Sequence, residues 1–219
     1  MVKAKLTYFK GRGKAEVIRL ALAVANIELE QEFVYELEDL EKLRQDGKLK
    51  FQQMPLLEIN GLKLVQSMAV VRYIADNYDL MGKTPEENAM IDMLSDGARD
   101  MYDSGFHFAT FTSDYEKTKA GALDKSRTRY LPVFEKTLQD TGSGYLVGDK
   151  VSMADVVFLD VLLWVQEWDE NLLNEFPAVK AFLSKMTSLP SVKAHLEGPN
   201  RFPQPTDEYE ATVRKILKF

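Results

Sequence analysis

In the stretch KLTYFKGRGKAEVIRLAL, residues 5–22, Tyr8 stands where a short apolar and aromatic segment gives way to a basic, glycine-rich turn. Such a turn would leave the phenol facing a ligand. Gly11-Arg12-Gly13-Lys14 has the outline of a phosphate-binding turn, but it lacks the third glycine of a dinucleotide fingerprint and the GK[ST] ending of a P-loop. Nucleotide chemistry is therefore poorly supported. Gln66-Ser67 falls where a strand runs into a helix, so Ser67 is placed to cap that helix, and the exposed N–H groups with the helix dipole attract a carboxylate beside Gln66. In MPLLEI, residues 54–59, proline cannot donate to a sheet ladder and suits a strand's first residue or its edge. A cis Met54-Pro55 bond would leave the Met54 N–H and C=O facing outward to pair with an extended peptide, whereas a trans proline would simply open the strand; the residues fit both. Arg12, Lys14 and Arg44 supply a cationic patch, although each taken singly reads as a solvated surface charge.

The elements that must hold these residues form a small mixed sheet. Residues 4–9 and 29–35 read as strands, with a helix over 15–26 between them, which makes a βαβ unit. DLEKLRQD is helical, residues 54–59 and 62–66 flank an Asn60-Gly61 hairpin turn, and residues 67–78 form a further helix. The order β-α-β-α-β-β-α suggests an α+β layer of helices on a sheet. After residue 78 the polar, turn-rich YDLMGKTPEE marks a boundary, and beyond it strand signals all but vanish. Helices are expected at about 86–111, 115–140, 153–168, 178–187, 190–196 and 207–217. Ser152 and Asp155 form an S-x-x-D capping box, which gives Asp155 a structural task.

Composition narrows the chemistry. The 219 residues contain no cysteine, so disulfides, thiolate metal sites and a cysteine nucleophile are excluded, and thiol chemistry would need an external thiol. Two histidines make a histidine metal cluster improbable, and no metal is expected. A formal net charge of −6 argues against nucleic acid or an anionic membrane as the main partner. The start has no apolar signal region, and the run VVFLDVLLWV is short and broken by Asp160, so neither a signal peptide nor stable membrane insertion is expected and a cytoplasmic location is the default.

YF-x-GRG-x-AE-x-IR at 8–19, LRQDGKLKFQQMPLLEI at 43–59, LVQS at 64–67, SRTRYLPVFEK at 126–136, YLVGDKVSMAD at 145–155 and the ending VRKILKF converge. Together they resemble a cytosolic glutathione transferase, and the FQQ-x-P segment and RKI-x-x-F ending are most similar to the alpha class. The resemblance runs in order over nearly the whole chain. It implies a thioredoxin-like glutathione-binding domain over 1–80, an all-helical domain over 86–219 that forms the hydrophobic substrate site and much of the dimer contact, and a homodimer. Glutathione is implied as co-substrate.

The same resemblance assigns roles. Tyr8 takes the place of the tyrosine whose hydroxyl donates to the glutathione sulfur, and Lys14 stands where the alpha pattern GRGR has an arginine beside that sulfur. Lysine keeps the charge and loses the planar fork of donors, so the thiolate should be less securely held. Arg44 and Gln53 resemble contacts to the glycine end of glutathione, Met54-Pro55 the backbone partner of its cysteinyl unit, and Gln66 and Ser67 the holders of its γ-glutamyl carboxylate. Asp100 and Arg129 match residues that reach across the dimer, with Arg127 close enough to compete for the second place. Phe51 resembles the aromatic key inserted into the partner subunit. Phe9, Val213, Leu217 and Phe219 match the hydrophobic substrate pocket, and Val213, Ile216 and Leu217 share a helical face that could close as a lid.

The implied reaction is attack of the glutathione thiolate on hydrophobic electrophiles, with reduction of lipid hydroperoxides as a second activity. A glutathione-dependent isomerase would return the thiol unchanged, and net glutathione consumption separates the two. A carrier of hydrophobic ligands or a crystallin-like structural protein would not need Tyr8, Gln66 and Ser67 intact.

Overall fold

In a computed structural model of the chain, residues 2–218 are described. Four strands, β1 (Lys3–Tyr8), β2 (Glu28–Phe33), β3 (Leu56–Ile59) and β4 (Leu62–Val65), form one sheet in the order β2-β1-β3-β4. β1 and β2 are parallel, so the chain between them must cross over, and α1 (Glu16–Val24) does so. β3 runs antiparallel to β1 and to β4. Asn60 and Gly61 both have positive φ, at 50° and 78°, as a two-residue hairpin turn with the twist of its strands requires. With α2 (Leu37–Gln45) and α3 (Ser67–Asn77) the order is the expected β-α-β-α-β-β-α.

Beyond α3 the described elements are helical: α4 (Pro85–Asp103), α5 (Tyr115–Lys125), α6 (Leu131–Thr141), α7 (Met153–Trp168), α8 (Pro177–Ser188), α9 (Pro190–Glu197) and α10 (Asp207–Leu217). Two expected helices are shorter than their apolar periodicity suggested. The one expected to reach residue 111 stops at Asp103, where Ser104 donates back to the Met101 carbonyl at 2.7 Å. A Cβ at the following Gly105 would lie 2.8 Å from Ala122, so that glycine permits the close approach of α5. The one expected over 115–140 is interrupted by a wide π-type turn at Ser126–Tyr130, ahead of Pro132, whose ring nitrogen has no hydrogen for the helical ladder.

Two compact units result, one from residues up to Ile74 together with Ala194 onward, the other from Ala75 to Lys193. In the second, α7 packs on α4 and is buried at almost every position. Its capping box forms as expected: Asp155 accepts from the Ser152 N–H and hydroxyl, both at 2.7 Å, and from the Leu146 N–H at 2.9 Å. Burial pushes the Asp155 carboxyl up to about 6 against the pull of those donors.

In the first unit the chain from Ala194 returns to the sheet half. Glu16, fully buried at the start of α1, accepts from Arg19 at 3.0 Å, His195 at 2.9 Å and Arg201 at 2.8 Å. Gln31 on β2 donates to the Asn200 side chain at 2.8 Å. Phe202 packs edge-on to Phe33 and lies under the Arg19 guanidinium, 4.7 Å from the ring centre. α10 then packs against α2.

Candidate active site

Register brings three loops to one end of the sheet. β1 ends at Tyr8, Thr7 pairs with Leu56, and Leu56 pairs with Val65. The Met54-Pro55 entry to β3 and the Gln66-Ser67 exit from β4 therefore flank the Tyr8 end of β1. The turn after β1 closes with the Gly11 N–H on the Phe9 carbonyl at 2.8 Å and continues as a 3-10 turn, Gly13–Ala15, into α1.

That turn is built around the Tyr8 phenol. The Lys14 N–H donates to the Tyr8 hydroxyl oxygen at 3.2 Å, and the Ser67 hydroxyl donates to the Lys14 carbonyl at 2.7 Å. The Lys14 backbone thus links Tyr8 to the β4–α3 junction. Gly13 has φ 40°, and a Cβ there would come within 2.5 Å of the Tyr8 hydroxyl, so both backbone and phenol require glycine.

At the β4–α3 junction the cap differs from expectation. The Gln66 carbonyl accepts the Val70 N–H at 3.0 Å, and α3 begins at Ser67, so Gln66 holds the cap position while the Ser67 hydroxyl is spent on Lys14. Gln66 is exposed with φ 71°, beside the first N–H groups of α3. Such an N-terminus favours an anion.

The Met54-Pro55 bond is cis. Gln53 is exposed and Met54 half-buried, while Pro55 is buried. Arg44 is not a solvated charge: its guanidinium donates twice to the Gln52 carbonyl, at 3.0 and 2.9 Å, and once to Glu41 at 2.8 Å. It thereby shapes the segment that carries Gln53 and Met54. Arg12 is buried too, with its Nε donating to the Phe202 carbonyl at 2.6 Å, so it holds the returning chain rather than contributing to a surface patch.

The apolar residues divide. Phe9 is buried edge-on to Tyr8, with ring centres 5.3 Å apart. Val213 and Ile216 are buried, whereas Leu217 is 43% exposed and does not share their packed face; Phe219 lies outside the described residues. A cavity of about 200 Å³ in the first unit is lined by Phe9, Val34, Phe202, Thr206 and Tyr209, but by neither Val213 nor Leu217. Phe51 is 58% exposed. In the second unit Asp100 is exposed on α4, and Arg129 is exposed on the wide turn with its guanidinium 5.1 Å from the Tyr130 ring centre. Arg127 pairs with Glu175 at 3.1 Å.

Tyr209 is the site residue that sequence reasoning missed. From α10 its ring reaches the turn, where a Cβ on Gly11 would lie 2.3 Å from it, and its hydroxyl is hydrogen-bonded to that of Tyr8. The available signal was its place one helical turn before Val213, on the apolar side of an otherwise charged helix. Among the described residues no group of three or more His, Cys, Asp or Glu side chains could hold a metal, and no helix is long and apolar enough to cross a membrane.

Comparison with known proteins bears on the family and the fold. The family model for the glutathione S-transferase N-terminal domain matches residues 4–76, and that for the C-terminal domain matches residues 99–199. The chain is 42% identical over 219 residues to rat (Rattus norvegicus) glutathione S-transferase alpha-1, covering 99% of each chain. Human glutathione S-transferase A3 gives the same identity, length and coverage. Among solved structures, monomeric Na-GST-3, a glutathione S-transferase of the hookworm Necator americanus, superposes with a TM-score of 0.78 at 31% identity, over 90% of this chain and 97% of that one. A thioredoxin-like sheet half, an all-helical half, and full-length likeness to alpha-class enzymes together mean that the chain belongs to the glutathione S-transferase family.

Proposed function

We propose that Tyr8 is the residue through which this transferase activates glutathione, donating its hydroxyl hydrogen to the sulfur while the thiolate attacks a hydrophobic electrophile. The observation that carries the reading is the bond from the Lys14 N–H to the Tyr8 oxygen, made by a turn that Ser67 ties to the β4–α3 junction. A free thiol has a pKa of about 8.5 and the thiolate is the nucleophile, so catalysis at neutral pH depends on stabilising the anion. A hydrogen bond to the charged sulfur does this, and so does the nearby Lys14 cation. Holding both reactants together lowers the entropic part of the barrier.

In this reading the N–H groups at Gln66-Ser67 take the γ-glutamyl carboxylate, Met54 before Pro55 pairs with the cysteinyl backbone, and Arg44 and Gln53 serve the glycine end. The domain over 1–80 binds glutathione, and that over 86–219 supplies the electrophile site and dimer contact. Phe9, Val213, Leu217 and Phe219 serve that electrophile site. Asp100 and Arg129 complete the glutathione site across a homodimer in which Phe51 is the inserted key; the 58% exposure of so large an apolar ring supports that role. The enzyme works in the cytoplasm, and hydroperoxide reduction is a second use of the same thiolate.

The test is to titrate the ultraviolet absorbance of bound glutathione thiolate in the wild type and in Tyr8→Phe. Depressed ionisation in the wild type, lost in the variant together with about a 10- to 100-fold drop in kcat/KM, is the expected result for one hydrogen bond to a charged group. A wild type that binds glutathione but ionises it like the free thiol would refute the role.

A further inference from the structure

Two phenols, one from the first strand and one from the last helix, meet over Gly13. A Cβ on Gly13 would lie 2.5 Å from the Tyr8 hydroxyl and 3.1 Å from that of Tyr209, and one on Gly11 would overlap the Tyr209 ring. The two glycines therefore leave the room that both rings fill. The hydroxyls are hydrogen-bonded to each other, and the Tyr8 oxygen also accepts the Lys14 N–H at 3.2 Å. Tyr209 is fixed from behind by its helix cap, where its N–H donates to the Thr206 hydroxyl at 3.2 Å.

Beside the pair lies the buried Arg19, close enough to act electrostatically on both phenols and itself paired with the Glu16 carboxylate at 3.0 Å. Burial first, then the neighbouring Tyr8 oxygen, keep the Tyr209 phenol protonated far above its ordinary range, with Arg19 pulling the other way. A phenol has one hydrogen to give and two lone pairs to receive with. With Tyr209 retaining its hydrogen as donor, its O–H and the Lys14 N–H engage both lone pairs of the Tyr8 oxygen. Hydrogen bonds accepted by an oxygen polarise its own O–H and strengthen it as a donor.

We propose that Tyr209 is a positioning residue for the thiol chemistry: its hydroxyl donates to the Tyr8 oxygen, orients the Tyr8 hydrogen toward the glutathione sulfur and strengthens that bond. The inference rests on the reading of Tyr8 as the donor to sulfur. It gives α10 a part in activating glutathione, through a contact made within the first unit. It also supplies a donor next to the position where lysine replaces the arginine of the alpha pattern.

The test compares wild type, Tyr209→Phe and Gly11→Ala by thiolate absorbance with reduced glutathione, alongside the pH profile of kcat/KM with an aryl chloride. Tyr209→Phe keeps the ring and loses only the hydroxyl; Gly11→Ala keeps the hydroxyl and displaces the ring. Both are expected to bind glutathione while raising the pKa of the bound thiol, so that kcat/KM below that pKa falls about three- to tenfold. A thiol titrating as in the wild type in both variants would overturn the proposal. A lower thiol pKa in Tyr209→Phe would overturn it as well, since Tyr209 would then compete with sulfur for Tyr8. A wild type that fails to depress the thiol pKa would refute the Tyr8 reading itself, and that outcome is separate because it needs no variant.

Discussion

Replacing Glu16 with glutamine tests how the chain from Ala194 is held. The Glu16 carboxylate is fully buried and accepts from Arg19, His195 and Arg201 at 2.8–3.0 Å. Burial alone would raise its pKa, but the hydrogen bond from His195 and the charges of Arg19 and Arg201 outweigh it and bring the group from 4.5 to about 2. Between those values the unfolded chain binds more protons than the folded one, so this contribution is complete above pH 4.5 and is lost as pH falls through 2. The difference corresponds to about 3 kcal/mol, more than half of it gone by pH 3. Glutamine keeps the shape and removes the charge, leaving two guanidinium groups short of their anion. A cost of about 3–5 kcal/mol is expected near neutrality. Urea unfolding of wild type and Glu16→Gln from pH 7 to pH 3 measures it: the gap should narrow toward acid by about 2 kcal/mol, because only the wild type has this carboxylate to protonate. An equal gap at both ends, or one below about 1 kcal/mol at pH 7, would refute the reasoning.

Lys14→Arg should lower the pKa of bound glutathione and raise kcat/KM up to about fivefold, since a forked guanidinium adds about one hydrogen bond's worth of stabilisation; unchanged titration and turnover would mean that lysine is no handicap. Phe51→Ala should shift the assembly toward monomer in sedimentation velocity, and a fully dimeric, active variant would contradict the key. Ser152→Ala, which removes the capping-box hydroxyl from a buried helix, should lower stability by about 1 kcal/mol or more in urea unfolding, with glutathione affinity unchanged.

What was legible in the sequence was local. The Asn60-Gly61 turn, the Ser152–Asp155 box and the extent of α10 each depend on residues a few positions apart, and each formed as expected. Tyr8, Lys14 and Ser67 were also singled out, and hydrogen bonds through the Lys14 backbone join them. Periodicity misled where a break costs the apolar pattern nothing: the wide turn at 126–130 keeps the same face inward, so the run read as one helix. Long-range pairing was not visible at all. Arg12 read as a surface charge, and Glu16 drew no reading at all, until partners from His195 to Phe202 arrive through the fold. Tyr209 was passed over because its partner lies at the other end of the chain.

The return of the C-terminal segment to the sheet half bears on the order in which the protein is made. A chain synthesised from its N-terminus folds its first domain early. Here, however, the half that carries Tyr8 lacks His195, Arg201 and Tyr209 until the whole second unit has been made. While the chain is still on the ribosome, Glu16 has Arg19 and no cation from the distant segment, and Gly11 and Gly13 border a space awaiting a ring. A nascent chain stalled before Ala194 should therefore hold a sheet whose first turn is still open to protease. The turn around Tyr8 gains its second ring only when α10 emerges, after the whole of the second unit has been made.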